Sequence, residues 1–247
     1  CGEPGGCTAA LSGNITPVYD FVFERNFYSW PNDTASSKLA VYELQGGGMT
    51  IRNNVFDLQS AFTGGFSLVH VTGSPTAAQS GSTPTGNVHV YNNTLYFNQA
   101  LSNPFTFAGL RATGTGCPQN CFSRNNLLVA PNFTGTVGNS SSFTASNNLL
   151  IRTPNPFATT VPARGMTRIS SFMLGSGTAG AVDTGYSFSP SVNRDVWVHE
   201  DAFGGCRGAG TTGAWDVGAS EFGAPRCNQS SGGGTTSLLP PTLLAPR

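Results

Sequence analysis

The chain has 247 residues, with 12 Lys and Arg against 12 Asp and Glu, so its formal net charge is zero. Hydrophobic residues reach 38%, enough for a core, but only 10% are charged, against roughly 25% in a typical soluble protein. This neutrality gives no electrostatic support to a nucleic-acid or anionic-membrane partner, and no apolar run of about 18 residues exists to span a bilayer as a helix.

The 32 glycines and 16 prolines imply short strands joined by frequent turns, and a repeat architecture would use most of the chain as one body. Residues 1–19 read as an N-terminal segment in which Cys1 and Cys7 close a disulfide loop. A start at Cys1 is expected of a processed product or a fragment, a mature bacterial lipoprotein being the narrower alternative. The other cysteines fall as Cys117/Cys121 and Cys206/Cys227. Six cysteines allow fifteen pairings, which sequence leaves open, although proximity favours the three local loops. Zinc is the weaker reading because neither C-x-x-C nor a His at ligand spacing occurs. Disulfides imply an oxidising compartment: secretion to the exterior, with cell surface or periplasm as variants.

From residue 20 onward a short pattern recurs. Its copies are Phe23-Glu24-Arg25-Asn26-Phe27, Ile51-Arg52-Asn53-Asn54-Val55, Val90-Tyr91-Asn92-Asn93-Thr94, Ser123-Arg124-Asn125-Asn126-Leu127 and Ala145-Ser146-Asn147-Asn148-Leu149. The last Asn of each copy lies 28, 39, 33 and 22 residues from the next. The irregularity is localised. A second alternating run begins 12 residues after Asn54 at Phe66 and 12 after Asn93 at Phe105, and Leu39 to Leu44 reads as the same element after Asn26. Surplus length therefore sits in loops such as Ser74 to Gly86, as expected of stacked turns that tolerate insertions on one side.

In such a stack each turn lies about 4.8 Å above the last. A buried corner repeated in every turn must satisfy its own polar backbone. Asn tolerates left-handed backbone and can bond vertically, so Asn26, Asn54, Asn93, Asn126 and Asn148 are expected to form an interior ladder. A β-sandwich using these pairs as simple turns is the poorer account of five copies with shared flanks. With Phe23, Ile51, Val90, Ser123 and Ala145 inward, their successors Glu24, Arg52, Tyr91, Arg124 and Ser146 face out. Arg52, Tyr91 and Arg124 are thereby candidates for holding a sugar chain by stacking and bidentate contacts; a plain solvated face is the alternative.

These residues resemble the pectin-lyase-like right-handed β-helix superfamily. The C-terminal part is similar to the closing segment of secreted bacterial β-helix proteins: Phe172 and Leu174, then Ala181-Val182-Asp183-Thr184-Gly185, then Asp201, Gly204 and Arg207, then Asp216-Val217-Gly218-Ala219-Ser220-Glu221-Phe222. Ala179-Gly180 stands where that pattern has Ser-Pro. The resemblance implies an all-β, single-domain right-handed parallel β-helix over residues 20–223 with a C-terminal capping segment. Residues 224–247 would then be a Ser/Gly/Pro-rich tail or linker. Asp183, Asp201, Arg207, Asp216 and Glu221 suggest either paired-carboxylate catalysis or a hydrogen-bonded network closing the exposed last turn, the second being preferred.

The resemblance further implies an extracellular polysaccharide as partner, bound or acted upon by lyase- or hydrolase-like chemistry. The alternative is a non-catalytic structural or adhesive surface module. Hydrolysis needs two carboxylates about 5–9 Å apart, and Asp57 has no obvious mate. For elimination, Arg52, Arg124, Tyr91 and His70 or His89 are the residues able to move a proton or neutralise charge. The aspartate clusters that bind calcium in the superfamily are not recognisable, nor are its polygalacturonase and methylesterase signatures. No cofactor or metal site is therefore assigned. A monomer is expected.

Overall fold

A computed structural model of the chain describes residues 21–29, 40–44, 49–58, 66–71, 87–98, 100, 104–110, 121–139, 141–152, 156–159, 161, 168–176, 180–188, 200–208 and 214–227. Strands come in successive passes. The first holds β1 (Phe21–Glu24), β2 (Phe27–Ser29) and β3 (Ala40–Leu44); the second holds β4 (Met49–Arg52), β5 (Val55–Asp57) and β6 (Phe66–Val71). The third holds β7 (Val88–Tyr91), β8 (Thr94–Tyr96) and β9 (Phe105–Leu110); the fourth holds β10 (Phe122–Arg124), β11 (Leu127–Val129) and β12 (Val137–Gly138). A fifth adds β13 (Thr144–Ser146) and β14 (Leu149–Ile151).

The pairings among these fourteen strands are parallel and join equivalent strands of successive passes. One sheet runs β1-β4-β7-β10-β13, a second β2-β5-β8-β11-β14 and a third β3-β6-β9-β12. The repeat read from sequence is also the register: Phe23 faces Ile51, Ile51 faces Val90, Val90 faces Ser123, and Ser123 faces Ala145. The run from Leu39 to Leu44 forms β3, paired with β6 from Ala40↔Ser67 to Leu44↔Val71. Helix is confined, among the described residues, to one 3-10 turn at Ile169–Phe172.

Alternation sets the core. In β4 the buried residues are Met49 and Ile51, while Thr50 and Arg52 are only half-buried, as period-two side-chain direction requires. One apolar cluster draws on all three sheets, including Ile51 and Val90 from the first, Phe56 and Leu95 from the second, and Leu68 and Phe107 from the third. Strands β5, β8 and β11 break the alternation by being buried at every position. Their other face meets a second cluster, in which Val55, Tyr96, Leu127, Val129 and Ile151 pack against Phe157, Phe172, Leu174, Ala181, Val217 and Ala219.

That second cluster sets described residues of the C-terminal segment against the side of the second sheet. Described residues between 156 and 227 pack on the side of the sheets and touch every pass. Arg25 meets Glu200 at 2.8 Å, Asn53 donates to the Glu200 carbonyl, and Ala219 N–H donates to Thr94 Oγ1 at 2.8 Å. Gly218 N–H donates to the Asn125 carbonyl, and Asn147 donates to the Thr184 carbonyl. The physical cause is apolar: Val55, Leu127 and Val129 occupy outward positions that alternation alone would give to polar residues, and they need cover. Gly218 shows how close the approach is. Its φ is +110°, and a Cβ there would stand 2.7 Å from Thr94 Oγ1 and 3.1 Å from Leu127 Cβ; only glycine fits.

Cys206 and Cys227 form a disulfide. Cys121 is also disulfide-bonded, whereas Cys1, Cys7, Cys117, the segment 1–19, the loop Ser74 to Gly86 and residues 228–247 lie outside the described residues. No helix among the described residues is long and apolar enough to cross a membrane.

Candidate functional site

The paired residues at each corner divide two tasks. The first of each pair carries the left-handed backbone: φ is 55° at Arg25, 53° at Asn53, 54° at Asn92, 52° at Asn125 and 54° at Asn147. Asn accepts this conformation more readily than most residues, and Arg25 shows that the turn does not depend on it. The second of each pair turns inward. Both the backbone N–H and Nδ2 of Asn54 donate to Asn93 Oδ1, at 3.1 and 3.0 Å. Asn93 donates in the same two ways to Asn126 Oδ1, and Asn126 to Asn148 Oδ1. Asn26 does so to Asn54. The remaining Nδ2 hydrogen reaches back to the preceding pass, Asn93 to the Ile51 carbonyl at 2.9 Å and Asn126 to the Val90 carbonyl at 2.8 Å. An inner amide such as Asn93, fully buried, thus spends two donors and both lone pairs of Oδ1.

The outward column starts from an ion pair. Arg52 Nε donates to Glu24 Oε2 at 2.7 Å, and its NH1 donates to Tyr91 Oη at 3.0 Å. Tyr91 is not an open stacking platform, which corrects the expectation drawn from its outward direction. It is fully buried against Phe122, with centroids 5.6 Å apart, and Phe188, 4.9 Å apart; Phe188 in turn packs on Trp215. Burial pushes the Tyr91 phenol up to about 12, overcoming the opposite pull of Arg52. The same flanking segment that covers the second sheet therefore roofs the middle of this column. His89 is buried and stacks on Phe122 at 4.4 Å. The side chain of His70 lies outside what is described.

Arg124 is placed differently. Its guanidinium carbon lies 5.0 Å from the Phe122 ring centroid and 4.2 Å from that of Tyr186. Tyr186 is held there by Asn125, which accepts its backbone N–H at 2.6 Å and donates to its carbonyl at 2.8 Å. The sequence brought Arg52, Tyr91 and Arg124 onto one face, and their register confirms that adjacency. The three do not form a common open surface.

The charged residues of the flanking segment do converge. Arg207 is buried and reaches Glu221 Oε2 at 3.3 Å, Asn53 Oδ1 at 2.8 Å and the Gly218 carbonyl at 2.9 Å. Glu221 also accepts the N–H groups of Gly208 and Asp216. Asp201 accepts those of Phe203, Gly205 and Glu221, while Asp216 accepts those of Asp183 and Phe222. Desolvation lowers the Arg207 pKa, against the pull of the three surrounding carboxylates. Each carboxylate is thus occupied by backbone donors, an arrangement suited to holding the segment down. Asp57 is fully buried and accepts from Ser29 at 3.4 Å.

The chain matches no family model, no curated protein and no solved structure. Among the described residues no three His, Cys, Asp or Glu side chains are grouped to hold a metal ion. The residues missed by sequence reasoning are Tyr186, Phe188 and Trp215. They sit in stretches without strand or helix periodicity, and their partners are far away in the chain.

Proposed function

We propose that this protein is an exported right-handed parallel β-helix, related to the pectin-lyase-like superfamily, that binds an extracellular polysaccharide along its side. One observation carries the reading: two equivalent strands recur in five successive passes and a third in four, all in parallel register. Equivalent side chains then recur about every 4.8 Å, and a one-dimensional lattice of this kind suits a ligand that is itself a repeating polymer. The Cys206–Cys227 disulfide supports export to an oxidising compartment.

Binding is the form of this activity that the side chains favour over bond cleavage. Glu24 and Arg52 neutralise each other, Tyr91 is roofed, and the carboxylates of Asp201, Asp216 and Glu221 belong to the flanking segment's own network. A polysaccharide array probed with the full chain should give hits confined to a few related polymers, and an ultraviolet assay for unsaturated uronides should remain flat. Silence across neutral and acidic polymers alike would discard the reading. The roofing of Tyr91 favours a second one, a non-catalytic structural or adhesive module; there, removing the protein from its surface would weaken adhesion without altering glycan binding.

A further inference from the structure

Arg124 has an unusual electrostatic position. Arg52, Arg152 and Arg207 each donate to two or more acceptors: Glu24 and Tyr91, the Phe133 and Gly135 carbonyls, and Glu221, Asn53 and Gly218 respectively. Arg124 donates to none among the described residues. Its Nε is buried without a hydrogen-bond partner, as is that of Arg207, and its guanidinium carbon lies over the rings of Phe122 and Tyr186. Two further buried polar atoms on the adjacent passes are in the same condition. Ser146, its register partner in β13, has a buried Oγ without a partner, and Asn92, whose N–H donates to the Arg124 carbonyl at 3.2 Å, has a buried Nδ2 without one.

Unsatisfied buried groups call for an explanation, and an absent ion or water is one of the recognised ones. Here the imbalance has one sign. Nε–H and Nδ2–H are pure donors, a hydroxyl can donate, and the one formal charge is positive. A guanidinium packed against two aromatic rings has less freedom left to lose on binding an anion, and its terminal fork matches two oxygens of one group.

We propose that Arg124, with Ser146 beside it, forms a binding site for an oxyanion, meaning a carboxylate or sulfate group on a larger ligand. It rests on the polysaccharide reading only for the carrier of that group, and deepens it by requiring an acidic polymer. The fork receives the two oxygens, and the Ser146 hydroxyl turns to donate to the same group.

The test uses the full chain with sodium sulfate and sodium acetate as probes, each compared with sodium chloride at equal ionic strength. The side-chain Nε–H resonance of Arg124 should shift saturably with sulfate or acetate and not with chloride. Arg124→Gln should weaken binding at least tenfold by calorimetry, whereas Arg152→Gln should leave it unchanged. Arg124→Lys keeps the charge and should still lose most of the affinity; it decides the matter if the glutamine variant melts early. No saturable shift, or equal affinity in the wild type and both Arg124 variants, would overturn the proposal. Oxyanion binding together with a silent polysaccharide array would leave this site standing and remove the polymer.

Discussion

Replacing Asn93 by Leu tests the interior ladder with little change in side-chain size. The wild-type amide accepts both the backbone N–H and the Nδ2 of Asn54, and itself donates to Asn126 Oδ1 and to the Ile51 carbonyl. Leucine removes all four bonds and leaves two donors of Asn54 facing hydrocarbon in a site without solvent access. At about 1–3 kcal/mol for each stranded buried group, the loss is about 2–6 kcal/mol. That is a large part of the 5–15 kcal/mol, roughly, that holds a domain together. In a chain of this size it corresponds to a fall in Tm of about 4–24 °C. Asn26→Leu provides the comparison. Asn26 is exposed and, among the described residues, its Oδ1 receives no donor from another pass, so its loss should stay within about 1 kcal/mol. Urea titration with matched m-values would measure both. Equal, small losses at the two positions would refute the ladder's role in stability.

Arg207→Met should cost about 3–5 kcal/mol, because the Glu221 carboxylate loses its cation inside the protein; chemical denaturation measures this, and a loss below about 1 kcal/mol would contradict it. Cys227→Ser opens a loop with a sequence separation of 21 and should cost about 3 kcal/mol by chain entropy, read as a lower Tm under non-reducing conditions. Tyr91 makes stability fall at high pH. Its folded pKa, about 12, exceeds the ordinary 10.0, so its contribution is complete below pH 10 and is lost as pH rises through about 12. Tyr91→Phe should flatten that part of the alkaline unfolding curve, and spectrophotometric titration should show Tyr91 ionising only at the upper end.

The passes were legible in the sequence because they rest on short-range rules. The five Asn-containing copies mark the corners, the alternation around Ile51 and Val90 marks the inward face, and both follow from backbone geometry within a few residues. The division of labour within each pair was less visible. Arg25 occupies the left-handed position where the other copies have Asn, so residue type alone does not separate the strained member from the laddered one. Least legible was the flank. Val55, Leu127 and Val129 on outward positions were a sign that the second sheet is covered on both sides, but nothing local says by what. Trp215 and Phe188 reach Tyr91 from roughly a hundred residues away, and tertiary packing of that span leaves no periodic trace. The charged motif residues were recognisable as a network, whereas their place beside Asn53 and Thr94 depended on the path of the whole segment.

The most direct test of the stacked corners is a nuclear Overhauser spectrum of the asparagine side-chain amides. Cross-peaks should link the Nδ2 protons of Asn54 to those of Asn93, Asn93 to Asn126, and Asn126 to Asn148, with slow solvent exchange at the inner positions. Rapid exchange at Asn93, with no cross-peak to Asn54 or Asn126, would contradict the architecture.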